Sequence, residues 1–122
     1  MHIDDVSPMT RHYLICALWS TTDNSDEQGG DPFDDNYDLE DIAEESIDQA
    51  EKDCQAFKQA NAADLADWDD EQAGHDFWLT RNHHGAGFWD RGKGEVGRRL
   101  TAAVHRYSEL TLTLNNGRIY FD

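Results

Sequence analysis

Cysteine and positive charge are both scarce in this chain, and each scarcity excludes something. Two cysteines, Cys16 and Cys54, allow at most one bridge, and neither stands in a Cys-x-x-Cys or Cys/His spacing, so a disulfide framework or a cysteine metal knuckle is excluded. Both read as reduced and buried. Lysine and arginine number 10 against 26 aspartates and glutamates, which leaves too few cations to displace counterions from phosphates. Direct binding of nucleic acid or an anionic membrane surface is therefore disfavoured. Long apolar runs are missing too. The longest, Tyr13 to Trp19, cannot span a bilayer, and Met1 to Thr10 has no basic patch leading into an apolar run. A cytoplasmic protein is expected.

A length of 122 residues supports one domain with one core. The excess acid is unevenly spread. Residues 1 to 72 carry a net charge of −18, whereas residues 73 to 122 carry +2. The acidic part presents a field suited to a basic partner, and the plainer reading of the same carboxylates is a solvated, solubilising face.

Local patterns predict the elements. Tyr13 to Trp19 is a short buried helix ending at Ser20 to Thr22. Residues 23 to 37 collect glycine, proline, asparagine and acid, and predict an acidic surface loop. Asp38 can cap a helix over about 39–60, because Leu39, Ala43, Ile47, Ala50, Cys54 and Phe57 form one stripe at helical period. A further helical piece, Ala62 to Trp68, extends it. Asp76 to Arg81 is short, aromatic and flanked by Gly74 and Asn82, which predicts a strand. A glycine-rich loop and a helix from Glu95 to Tyr107 follow. Asn116-Gly117 is the preferred pair for a two-residue type I′ hairpin, and it fixes the register: Leu114 opposite Ile119, Leu112 opposite Phe121, Thr113 opposite Tyr120. The expected fold is α+β, about three helices on a mainly antiparallel three-stranded sheet of 76–81, 109–115 and 118–122.

Three constellations could carry function. Glu40, Glu44, Asp48 and Glu51 step by four, four and three along the predicted central helix, with Asp41 and Glu45 beside them and Asp34 and Asp35 in the loop before it. One such step rises about 6 Å, comparable with the spacing of successive phosphates on a nucleic-acid strand. These eight residues are the candidate partner-binding set. Gly87 to Lys93 matches the first seven positions of a phosphate-binding loop, but Gly94 replaces the required hydroxyl and Phe88 and Trp89 crowd the interior. Histidines are plentiful, yet none stands in a helical His-x-x-x-His spacing; His83 and His84 point their rings apart, and only His84 is placed to join Asp90. No nucleophile signature is present, and the acidic loop fails the EF-hand pattern because Gly29 falls one place late. No catalytic residue, metal site or cofactor is expected.

The string GHDFWLTRNHHGAGFWDRGKGEVGRRLT at 74–101 resembles a family of small tailed-phage and prophage proteins with a D-F-W-L-T-R-N-x-H-G-A-G-F-W-D-R-G core. Cys16 to Trp19 and Asp34 to Tyr37 are similar to that family's "CALW" and "DDNY" segments, and the chain departs from it at His83 and in the C-terminal hairpin. The resemblance implies a phage setting and transfers no catalytic residue. Within the motif, Trp78, Arg81, His84, Gly85, Gly87, Trp89 and Asp90 read as structural. Together these features suggest a non-enzymatic, acidic, nucleic-acid-mimicking inhibitor that binds the basic surface of a host defence complex of restriction or CRISPR type. Two alternatives stay open: an accessory phage protein without mimicry, and a small nucleotide-binding or hydrolytic enzyme using loop 85–94, with His84, Asp90, Arg91 and Lys93.

Overall fold

A helix begins at Pro8 because proline is pre-set for the first helical position, and it runs on through an apolar stretch buried nearly all round. The computed structural model describes residues 1–23 and 31–122 of the chain. This first helix, α1 (Pro8–Ser20), buries Met9, Tyr13, Leu14, Cys16, Ala17 and Leu18 and leaves Arg11 and Trp19 outside. Two short strands follow, β1 (Thr22–Asp23) and β2 (Asp31–Pro32), antiparallel to each other, and a 3-10 turn, Phe33–Asp35, anchored by buried Phe33. Part of the expected acidic loop, residues 24 to 30, lies outside the described residues.

Asp38 does cap, but it caps a single 3-10 turn, Leu39–Asp41, through a reciprocal box in which Asp38 accepts from Glu40 N–H and Asp41 accepts from Asp38 N–H. Ile42 and Ala43 are then extended. The central helix, α2, runs Glu44–Ala60, five residues shorter at its start than the stripe suggests. Ile42 leaves the helical path to pair with the C-terminal hairpin: Ala43 N–H donates to Ile119 O at 2.9 Å, and Ile42 bridges Ile119 in parallel. The rest of the stripe, Ile47, Ala50, Cys54 and Phe57, is buried as its spacing requires.

The segment expected to be a strand at 76–81 is the second half of a helix, α3 (Asp70–Arg81). Asp69 caps it, accepting from Gln72 N–H at 2.7 Å. The helix lies at the centre of the molecule, so Asp76, Phe77, Trp78, Leu79, Thr80 and Arg81 are all buried. A run buried on every side shows neither a helical stripe nor strand alternation, so periodicity cannot identify it. Gly74 lets α3 touch α1 at backbone distance: a Cβ there would stand 2.2 Å from Met9 O and 2.8 Å from Tyr13 N.

After α3 the chain makes a 3-10 turn, Phe88–Asp90, and a last helix, α4 (Glu95–Val104), three residues shorter than expected. The hairpin of β3 (Leu112–Asn115) and β4 (Arg118–Phe121) has the expected register, with Asn116 and Gly117 at φ of 53° and 78°. The fold is α+β as expected, with four helices in place of about three. The expected three-stranded sheet is replaced by this two-stranded hairpin, because its supposed third strand is helical.

Aromatic rings from five elements close the core. Phe57 stacks on Phe77 at 4.5 Å, Phe88 lies 5.7 Å from Phe57, and Trp78 packs edge-on to Tyr13 at 5.3 Å and near Phe121 at 5.5 Å. Each ring fully removed from water contributes roughly 1.5–3 kcal/mol. Both cysteines are free and buried. Burial pushes the Cys16 thiol up to about 12 and raises Cys54 as well, so neither is a nucleophile at neutral pH.

Candidate functional site

The carboxylates of this chain divide into those the fold consumes and those it leaves facing solvent. Asp53 is paired with buried Arg81 at 2.8 Å, Asp64 with Arg99 at 2.7 Å and Asp70 with Lys58 at 2.9 Å. Arg81 also donates to Ser108 O and Tyr13 Oη, which locks α3 to α1, α2 and the segment after α4. Asp76, wholly buried, accepts from Trp68 Nε1, Gln72 Nε2 and Arg91.

Glu51 belongs to the consumed group, which breaks the expected row. Its carboxylate accepts from Ser7 N–H at 3.2 and 3.3 Å, from Ser7 Oγ at 3.0 Å and from Thr10 Oγ1, supplying the N-terminal cap of α1 from α2. Glu40 leaves the row for a different reason, since it sits in the 3-10 turn ahead of the break at Ile42. Asp48 meets the Met1 amino group at 2.8 Å. Glu44, Asp48 and Glu51 share α2, but the Glu51 carboxylate is turned to the α1 cap, so only Glu44 and Asp48 of the four remain in a row. The regular phosphate-like spacing is therefore absent.

Among the acids that remain at the surface, four lie along one strip. Asp34, Asp35, Glu44 and Glu45 are exposed, and among the described residues none has an ion-pair partner. Three shallow grooves join along it. The first, about 220 Å³, is lined by Asp34, Tyr37, Asp38 and Leu39. It shares Leu39 with a groove of about 490 Å³ bordered by Glu40, Asp41 and Glu44, and that one shares Glu44 and Arg118 with a third of about 310 Å³ beside Glu45 and Tyr120. Arg118 crosses the middle, donating to Glu40 O at 2.9 Å. The crowding is tolerated locally because Glu44 and Glu45 occupy the first turn of α2, where the helix dipole favours negative charge.

The glycine-rich motif is placed differently. Trp78 and Arg81 are buried in α3. Gly87, at φ 153°, admits no side chain because a Cβ would lie 2.2 Å from Thr80 Oγ1, which instead accepts from Phe88 N–H at 3.1 Å. Phe88, not Trp89, is the ring driven into the core; Trp89 is 52% exposed. Gly85 and Asp90 are exposed, and His84 lines a separate shallow groove with Ser20, Trp78 and Asn82, with no ion pair to Asp90 among the described residues. The loop follows a helix rather than a parallel strand, and Arg91 within it is spent on Asp76, so it does not have the architecture of a phosphate-binding loop.

Compared with protein-family models, with curated proteins and with solved structures, the chain has no match. One grouping escaped the sequence: His12, Glu71 and His75 converge where α1 crosses α3. Glu71 and His75 stand four apart on one helix, a relation hidden by reading residue 76 as the start of a strand.

Proposed function

We propose that this is a non-enzymatic, phage-encoded protein that binds the basic, nucleic-acid-binding surface of a host defence complex through its acidic strip. The observation that carries the reading is the sorting of charge. Five of the chain's lysines and arginines pair with carboxylates on α2, on α3, on α4 or between these elements, while Asp34, Asp35, Glu44 and Glu45 are left to solvent. Asp34, Glu44 and Glu45 border adjoining grooves, which gives a partner a continuous surface to meet. A cationic cleft that normally receives a phosphate backbone would meet the strip with complementary potential, gaining association rate and salt sensitivity. The strip, rather than a helical row at phosphate spacing, is the element that mimics.

The test is competition. Purified restriction and CRISPR effector complexes are loaded with fluorescent duplex DNA, and the tag-free protein is titrated in at low and at high salt. Displacement from at least one complex that weakens with salt supports the reading. Failure to displace DNA from any of them at low salt overturns it.

A further inference from the structure

We propose that His12, Glu71 and His75 form a binding site for one divalent transition-metal ion of the zinc class. The site is built at a close helix crossing. Gly74 brings α3 against the α1 turn between Met9 and Tyr13, with a notional Cβ only 2.2 Å from Met9 O. His12 lies in that same turn, His75 directly follows Gly74, and Glu71 precedes His75 by one turn of α3. One ligand atom from each of the three lies within 4.8 Å of the others. A tetrahedral zinc ion with bonds of about 2.0–2.1 Å holds its ligands roughly 3.4 Å apart, so small side-chain rotations close the set without moving a helix.

A second observation points to a ligand at this place. The Nε2 atom of His75 is buried and has no hydrogen-bond partner, the one side-chain nitrogen or oxygen in that condition among the described residues. An orphaned buried polar atom costs free energy, and a coordinated cation would satisfy it. The His12 and His75 rings stand 5.7 Å apart at 55°, and the partly exposed Trp19 borders His75 at 6.4 Å.

Ligand chemistry selects the ion. Calcium and magnesium require oxygen sets, whereas two imidazoles and a carboxylate suit zinc and its neighbours. Three protein ligands leave one position for water, and Glu71, which is exposed, places that position at the surface. These residues lie outside the acidic strip, so this site and the proposed partner binding stand or fall separately.

The experiment is calorimetric titration of tag-free, chelator-treated protein with zinc chloride. One equivalent should bind saturably, and His12→Ala and His75→Ala should each weaken binding by about 100-fold or more, since even an outer partner of a metal ligand can be worth 10- to 100-fold. His2→Ala, in the exposed His2, Asp4 and Glu40 group, should leave the affinity unchanged. Should a variant fail to fold, the wild-type protein decides by NMR: zinc should move the ring-proton signals of His12 and His75 and leave those of His83, His84 and His105 in place. Absence of stoichiometric binding, binding that persists in the folded variants, or shifts confined to other histidines would overturn the proposal.

Discussion

Arg91 Nη2 donates to Asp76 Oδ1 at 2.6 Å, and Nε of the same guanidinium reaches both carboxylate oxygens at 3.2 and 3.1 Å. Asp76 is wholly buried in α3, so this fork ties the glycine-rich loop to the central helix. The carboxylate in turn raises the Arg91 guanidinium above its usual range. Arg91→Ala would leave a buried charge with only two neutral donors, at a cost of roughly 3 kcal/mol. Asp76→Asn should cost less, because the stranded guanidinium is a third exposed and can be hydrated. Urea denaturation at neutral pH measures both, and an unchanged midpoint for Arg91→Ala would refute the clasp.

Two adjacent rings in that loop should behave oppositely. Phe88 is inaccessible and contacts Phe57 and Trp68, whereas Trp89 is half exposed. Phe88→Ala is expected to destabilise by about 3–5 kcal/mol. Trp89→Ala should stay within about 0.5 kcal/mol, as surface substitutions usually do. Thermal melts of the two variants decide it, and equal losses would contradict the packing described.

The hairpin offers a sharper backbone test. Gly117 adopts φ 78° in open space, so a larger residue there suffers from conformation rather than collision. Gly117→Val should cost on the order of 1–3 kcal/mol, the strain of a branched residue in the left-handed region. Gly117→Asn should cost clearly less, since asparagine tolerates that region. Equal melting temperatures for Val and Asn would count against the turn.

What could be read from the chain, and what could not, follows from how locally each feature is determined. The hairpin register was legible because Asn116-Gly117 specifies a turn within four residues and the alternation agrees with it. Likewise, Ile47, Ala50, Cys54 and Phe57 are one-sided and therefore periodic. Asp76–Arg81 was misread because burial on all sides erases periodicity; the remaining signal was Asp69 followed by Gln72, a capping pattern ahead of the run. The acids were harder still. Nothing near Glu51 in sequence announces that Ser7 and Thr10, more than forty residues earlier, will need its oxygens, and His12 is as remote from Glu71 and His75.

Glu51 therefore separates structural from surface carboxylates. Glu51→Ala should cost about 1–2 kcal/mol by uncapping α1. Glu44→Gln and Glu45→Gln should change stability by no more than about 0.5 kcal/mol each, because the dipole interaction they lose is offset by relief of like-charge repulsion. Chemical denaturation reads the difference, and a neutral Glu51→Ala would mean that the cap contributes nothing.

The acidic strip is tested most directly by moving charge without changing its total. One variant carries Asp34→Asn, Asp35→Asn, Glu44→Gln and Glu45→Gln; the other carries Asp67→Asn, Asp90→Asn, Glu109→Gln and Asp122→Asn, four exposed acids outside the strip. Both lose the same net charge. The measurement is the association rate of each variant, by stopped-flow, with whichever DNA-binding effector the wild-type protein displaces from DNA, across a salt series. The strip variant should associate at least about tenfold more slowly at low salt with a flattened salt dependence, while the second variant stays near wild type, because steering depends on where charge meets the partner and is screened over a Debye length. Equal slowing in both variants would show that bulk acidity alone is at work and that the strip is not a site.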